Sequence, residues 1–244
     1  MNNTIETRQL REALRMAESI KDSQETGPIG QIIGEPGTGK TRAGKWLTQQ
    51  LNAIRVCSSH AITNKALLVK LYTAVYGEEM PGSTNSLLPK IASAMDGQLL
   101  IVDEANHLRW QQLEILRYLA DESGMRLLLI GTELMNRPFT DGRTSVLLAQ
   151  LASRIGAKRV SFERLTQLEE ITGYMLQPHF GRVDKATAQA FARYSKGYWR
   201  DGVELAAACK RVMQSQGLDK LTHIVVDAAA NWMAPRKVLP GEKQ

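Results

Sequence analysis

Eight consecutive residues, Gly34-Glu35-Pro36-Gly37-Thr38-Gly39-Lys40-Thr41, fit the spacing G-x-x-x-x-G-K-S/T. Glycines at those places let the backbone curl until successive N–H groups point into one concavity. A helix that starts at the lysine adds the positive end of its dipole, and the lysine ammonium reaches the outer phosphates of a nucleotide. On this reading Gly34, Glu35, Pro36, Gly37, Thr38, Gly39 and Lys40 hold a nucleoside triphosphate, and Thr41 adds its hydroxyl to a bound Mg²⁺. The context fits. The apolar run Ile29-Gly30-Gln31-Ile32-Ile33 leads in, and an amphipathic stretch with Ala43, Trp46, Leu47 and Leu51 follows. A Gly-rich surface turn would need neither.

A second constellation is Leu99-Leu100-Ile101-Val102-Asp103-Glu104. Four apolar residues bury a strand, and the chain then places two carboxylates at its C-terminal end, where open α/β sheets bind ligands. Asp103 suits orientation of Mg²⁺ through water, and Glu104 suits polarising a water for in-line attack on the γ-phosphate. An Asp-Glu pair at a strand end also suits a helix N-cap, a reading that weakens once a phosphate loop precedes it in the same domain. The next apolar strand ends Ile130-Gly131-Thr132, where Thr132 could position the attacking water by a hydrogen bond. Arg154 precedes the last strand and suits reaching the γ-phosphate held by a neighbouring subunit, spreading transition-state charge. It also suits, less well, capping a helix end, and Arg137 and Arg143 compete for the same role. Arg200, in Lys196-Gly197-Tyr198-Trp199-Arg200, suits contact with the β- and γ-phosphates from a separate lid.

These groups need a sheet to hold them in register. Apolar runs without alternation at 29–33, 53–57, 98–103, 125–131 and, more weakly, 157–162 are separated by helical patterns at 63–76, 84–95 and 109–121. That succession predicts a parallel sheet covered on both faces. Residues 5–21 read as a further helix, with Leu10, Leu14, Ala17 and Ile20 or Lys21 on one side. Arg8, Arg11 and Arg15 share another side, either a solvated face balanced by Glu12 and Glu18 or a contact for a phosphate backbone or a neighbouring subunit. Residues 22–28 read as a linker. Beyond about residue 163 the strand signals vanish, and 166–176, 184–195, 201–214 and 218–232 read as four helices of a small domain. The predicted organisation is 1–28 as N-terminal helix and linker, 29–162 as core, 163–233 as helical lid and 234–244 as a loose tail whose Arg236, Lys237 and Lys243 could touch DNA.

Bulk properties agree with that plan. The 244 residues, 43% hydrophobic and 23% charged, suit a globular chain with one ordinary domain and a small companion. No apolar run approaches the roughly 18–20 residues of a membrane span, and the first residues lack a signal-peptide pattern, so no membrane partner and a cytoplasmic location are expected. Cys57 and Cys209 read as small buried residues in a reducing compartment. A net charge of +6 permits a polyanionic partner without proving one. His60 and His107 read as structural, having no partner at metal spacing, and Trp46, Trp110, Trp199 and Trp232 as packing residues.

The order of phosphate loop, Asp-Glu strand, polar strand end, arginine before the final strand and arginine in a helical lid resembles the AAA+ ATPases. The resemblance covers residues 29–233 and is strongest through Thr132. Ile101-Val102-Asp103-Glu104-Ala105-Asn106-His107-Leu108 followed by Leu113-Glu114-Ile115-Leu116-Arg117-Tyr118-Leu119 is similar to the transposition target-capture branch, the Mu B-like proteins with their TnsC and TniB relatives. The resemblance implies an α/β P-loop NTPase sheet of order 5-1-4-3-2 with a C-terminal helical lid. It implies an ATP- and Mg²⁺-dependent ATPase that oligomerises, as ring or filament, on duplex DNA and delivers that DNA to a transposase. Origin-initiator and helicase-loader ATPases share these features, and a nucleotide-gated interaction module without DNA is a further alternative. Within the resemblance, the polar segment Ser58-Ser59-His60-Ala61-Ile62-Thr63-Asn64-Lys65 and Lys70 would face DNA, with Thr63, Asn64, Lys65, Lys70, Arg8, Arg11 and Arg15 as candidate phosphate contacts. In Mu B-like proteins a DNA-binding segment precedes the core, whereas here about 28 residues do, so the core and Arg8, Arg11 and Arg15 are expected to carry more of that contact.

Overall fold

The computed structural model describes residues 5–23, 28–78, 82–140, 142 and 144–233. The chain divides into two compact units, Met1–Glu163 and Arg164–Gln244. In the first, helix α1 (Arg8–Lys21) precedes strand β1 (Ile29–Gly34), followed by α2 (Lys40–Gln50), β2 (Ile54–Cys57), α3 (Asn64–Tyr76), α4 (Thr84–Ala94), β3 (Leu99–Asp103), α5 (Trp110–Ser123) and β4 (Arg126–Gly131). Three short helices, α6 (Arg137–Thr140), α7 (Thr144–Leu147) and α8 (Ala149–Ile155), lead to β5 (Arg159–Phe162).

All five strands pair in parallel, in the order β2-β3-β4-β1-β5. Read from the opposite edge this is the expected 5-1-4-3-2. Parallel strands alternate with helices because each crossover must return to the same end of the sheet. One face carries Ile29, Ile33, Leu100, Val102, Leu127 and Leu129 against residues of α3, α4, α5 and α8. The other carries Ile32, Leu99, Ile101, Leu128 and Ile130 against α1 and α2. Strands buried on both faces read as unbroken apolar runs, which is why β3 and β4 were plain in the sequence.

Helix α1 starts at a Thr7 cap, whose side chain accepts the Leu10 N–H at 3.1 Å. It buries Leu10, Ala13, Ala17 and Ile20, while Leu14 is only half-buried. The chain approaches itself closely where β1 ends. A Cβ on Gly34 would lie 2.1 Å from the Phe162 carbonyl oxygen of β5, so only glycine lets the two strands pair at the mouth of the phosphate loop.

In the second unit, α9 (Leu168–Ile171), α10 (Gln177–Phe180), α11 (Lys185–Ser195), α12 (Trp199–Gln216) and α13 (His223–Met233) enclose their own core around Phe191, Leu176, Cys209 and Val226. The expected single helix over 166–176 is interrupted, since residues Thr172–Leu176 form a π-helical turn between α9 and α10. Residues 133–155, to which no element was assigned from sequence, form a 3₁₀ turn and α6 to α8, each too short to show a periodicity. Residues 24–27 of the predicted linker, Arg143 and the predicted tail 234–244 lie outside the described residues.

Candidate nucleotide site

The loop after β1 turns through two left-handed glycines, Gly37 (φ 84°) and Gly39 (φ 97°), a conformation costly for residues with a Cβ. Gly39 is the N-cap of α2, and no side chain caps that helix. Its first-turn N–H groups and dipole end are thus suited to receive an anion. Lys40 opens the helix and is buried; its Nζ donates to the carbonyl oxygens of Gly34 at 2.9 Å and Glu35 at 2.7 Å. Thr38, also buried, donates its hydroxyl to the Glu35 carbonyl at 2.8 Å and tightens the same turn. Thr41 is exposed beside them.

Asp103 ends β3 and is 1% exposed. A carboxylate so deep needs compensation, and both oxygens have it. Oδ2 meets Arg55 Nη2 of β2 at 2.5 Å, and Oδ1 accepts the Glu104 N–H at 3.0 Å. Glu104 leaves the strand in a left-handed conformation (φ 55°, ψ 35°), strained for a non-glycine residue. This turns its partly exposed carboxylate away from the ladder, 3.9 Å from His107 Nε2. His107 in turn stands edge-on to His60, ring centroids 5.6 Å apart. The hard oxygens of Thr41 and Asp103 are the donor types that Mg²⁺ prefers while it keeps several waters and phosphate oxygens. Among the described residues no group of three or more His, Cys, Asp or Glu side chains could hold a metal by itself.

Thr132 follows β4, the strand between β3 and β1. Its N–H donates to Asn106 Oδ1 at 3.1 Å, and its hydroxyl oxygen is shielded from solvent without a hydrogen-bond partner among the described residues. The C-terminal ends of β1, β3 and β4 therefore bring the phosphate loop, Asp103-Glu104 and Thr132 to one edge of the sheet. Arg154 lies elsewhere, on α8, with Nη2 2.9 Å from Asp121 Oδ1 of α5. Arg200 is the second residue of α12 in the other unit and is exposed.

The predicted DNA-facing segment divides into surface and structural parts. Ser58 and Ile62 are buried, and the Thr63 side chain caps α3 by accepting the Ala66 N–H at 3.1 Å. Lys65 is exposed and Asn64 half-buried, while Lys70 Nζ donates to the Cys57 carbonyl at 3.0 Å. Arg8, Arg11 and Arg15 are all exposed on α1, with Arg8 3.6 Å from Glu12.

Two expectations are corrected. Cys209 is buried, but Cys57 is exposed, because β2 is an edge strand and Cys57 is its last residue. Partial burial first, then the nearby Asp103 charge, push the Cys57 thiol pKa up. Trp232 is 67% exposed, with the Arg211 guanidinium 4.9 Å above its ring, so it is not a core residue. Sequence reading also missed Arg55 and Asn106. A lone arginine in a strand next to one that ends in acid was a usable signal for the first; nothing marked the second.

Comparison with known proteins agrees with this geometry. Residues 23–139 match the AAA domain family. The chain is 29% identical over 150 residues to the ATP-dependent target DNA activator B of Escherichia phage Mu, covering 60% of this chain and 48% of that protein. It is equally similar, 29% over 151 residues, to the Mu-like prophage FluMu DNA transposition protein B of Haemophilus influenzae, covering 60% and 52%. The chain thus spans about half the length of these curated relatives. Among solved structures it resembles the ORC2 protein of Aeropyrum pernix, with a TM-score of 0.70 at 15% identity over 95% of this chain and 70% of that one. It also resembles the RuvB Holliday junction branch migration motor of Thermotoga maritima, with a TM-score of 0.58 at 17% identity over 94% and 70%. At such identities the likeness is one of fold. The chain therefore has the fold of the AAA P-loop NTPases, and over 60% of its length it is similar to the target DNA activator B proteins of phages Mu and D108.

Proposed function

We propose that the chain is a cytoplasmic ATP hydrolase that assembles on duplex DNA with ATP between subunits and delivers that DNA to a transposase. The observation that carries the reading is the single sheet edge shared by the Lys40 loop, Asp103-Glu104 and Thr132. Lys40 exchanges its two carbonyl partners for the β- and γ-phosphates, and the α2 N-terminus receives the same anion. Thr41, and Asp103 through water, would hold a Mg²⁺ ion, which would supply charge neutralisation at the phosphates. Glu104 accepts a proton from the attacking water, and the Thr132 hydroxyl holds that water or the γ-phosphate oxygen in line. Arg154 serves the site of the neighbouring subunit, and Arg200 serves as the lid contact. Duplex DNA is held through phosphate contacts from Thr63, Asn64, Lys65 and Lys70, and from Arg8, Arg11 and Arg15 on α1, with little sequence preference. The relatives' names, target DNA activator and DNA transposition protein, support the transposition role.

The test is a binding titration on random-sequence duplex with ATP, with ADP and without nucleotide, across a salt series. Affinity that requires ATP and falls steeply with salt is expected. With Glu104→Gln, ATP-bound assemblies on DNA should persist while turnover stops. Nucleotide-independent or salt-insensitive binding, or full turnover by Glu104→Gln, would overturn the reading.

A further inference from the structure

The β3–β4 ladder ends with Val102 paired to Leu129, so although β1 holds β4 as far as Gly131, no β3–β4 rung ties Glu104 to Thr132. One side chain spans the gap. Asn106 sits in the 3₁₀ turn Ala105–His107 just after Glu104, a turn closed by the His107 N–H to the Glu104 carbonyl at 3.0 Å. From there Asn106 Oδ1 accepts the Thr132 N–H at 3.1 Å, linking the two chain segments beyond the end of the ladder. It lies tight against the strand end, since a Cβ on Gly131 would come within 2.7 Å of both Asn106 Oδ1 and Met135 Sδ. The engaged amide tethers the Thr132 backbone, and its shielded hydroxyl has no hydrogen-bond partner among the described residues.

We infer that Asn106 is a positioning residue that sets the spacing between the Glu104 carboxylate and the Thr132 hydroxyl for hydrolysis. This rests on the roles given to those two residues under Proposed function. Asn106 touches no reacting atom; it acts through the Thr132 backbone and the turn it shares with Glu104. Gly131 belongs to the same device, as the residue whose lack of a side chain lets Asn106 dock.

The experiment combines amide hydrogen exchange with ATPase kinetics on the full chain. Asn106→Ala should lose exchange protection at the Thr132 amide. Its kcat should fall by about tenfold to a hundredfold, as a misplacement of about an ångström does, with the KM for ATP within about twofold of wild type. Gly131→Ala, which pushes Asn106 outward, should show the same kinetic pattern. Asn106→Asp keeps an acceptor and should retain Thr132 protection, which distinguishes loss of the link from loss of the fold. Wild-type kcat or undiminished Thr132 protection in Asn106→Ala would overturn the inference. A wild-type chain that does not hydrolyse ATP would sink the hydrolytic reading instead, while the exchange data would still report on the Asn106–Thr132 link.

Discussion

Arg55 Nη2 and Asp103 Oδ2 stand 2.5 Å apart, joining the edge strand β2 to the end of β3 where magnesium chemistry is proposed. The Asp103 side chain is 2% exposed and that of Arg55 20%, so the pair is largely withdrawn from water. Such pairs contribute little net stability, but removing one partner leaves a buried charge uncompensated. Arg55→Met should therefore destabilise the chain by about 3 kcal/mol, the lower end of the range for broken buried pairs, since the arginine is partly solvated. Arg55→Met combined with Asp103→Leu should recover most of that loss in urea melts while abolishing turnover. A loss under about 1 kcal/mol for the single variant would show that Asp103 does not depend on Arg55.

Arg154 presents the opposite case, a predicted catalytic arginine paired within its own chain. Its Nη2 is 2.9 Å from Asp121 Oδ1, and Asp121 Oδ2 also meets Arg117 Nη1 at 2.5 Å. A guanidinium has five N–H donors, so a carboxylate on one edge fixes its direction without exhausting it. If Arg154 acts across subunits, Arg154→Ala and Lys40→Ala should each abolish turnover alone. Mixed in equal amounts they should recover about a quarter of wild-type activity, because half the intact sites meet half the intact arginines at a head-to-tail interface. Mixtures as inactive as the separate variants would exclude that role.

How much could be read beforehand depended on the kind of constraint each residue answers to. The phosphate loop and the Asp103-Glu104 strand end were legible because their chemistry fixes both residue type and spacing along the chain. Parallel strands buried on two faces left unbroken apolar runs, so the number of strands was legible too, while their order followed from the family resemblance. Asn106 and Asp121 were not, because each acts on a residue distant in sequence, 26 positions away for Asn106–Thr132, and Arg55, 48 positions from Asp103, left only the signal of a lone arginine in a strand. The 133–155 segment escaped because helices of four to seven residues are set by what they pack on rather than by a repeating pattern. Cys57 was misread as buried because composition cannot tell an edge strand from a central one.

The helical unit carries a pH dependence of its own at His179. The Lys210 ammonium lies 3.4 Å from His179 Nδ1, close enough to donate to a neutral ring and to oppose a charged one. Partial burial of the ring first, and the Lys210 charge second, push its pKa below the ordinary value. The folded chain therefore binds this proton less readily than the unfolded chain, whose histidine titrates near 6.5. Between those two values the unfolded state holds more protons, so stability rises with pH there. The contribution is complete above about pH 6.5 and fades as pH falls toward the depressed folded value. Urea melts at pH 7.5 and 5.5 should show a smaller acid loss in His179→Gln than in the wild type. Lys210→Met should raise the His179 midpoint, followed by NMR, only part of the way to 6.5, because burial is the larger cause. A wild-type midpoint at or above 6.5 would mean that neither the covered ring nor the facing ammonium disfavours the charged form.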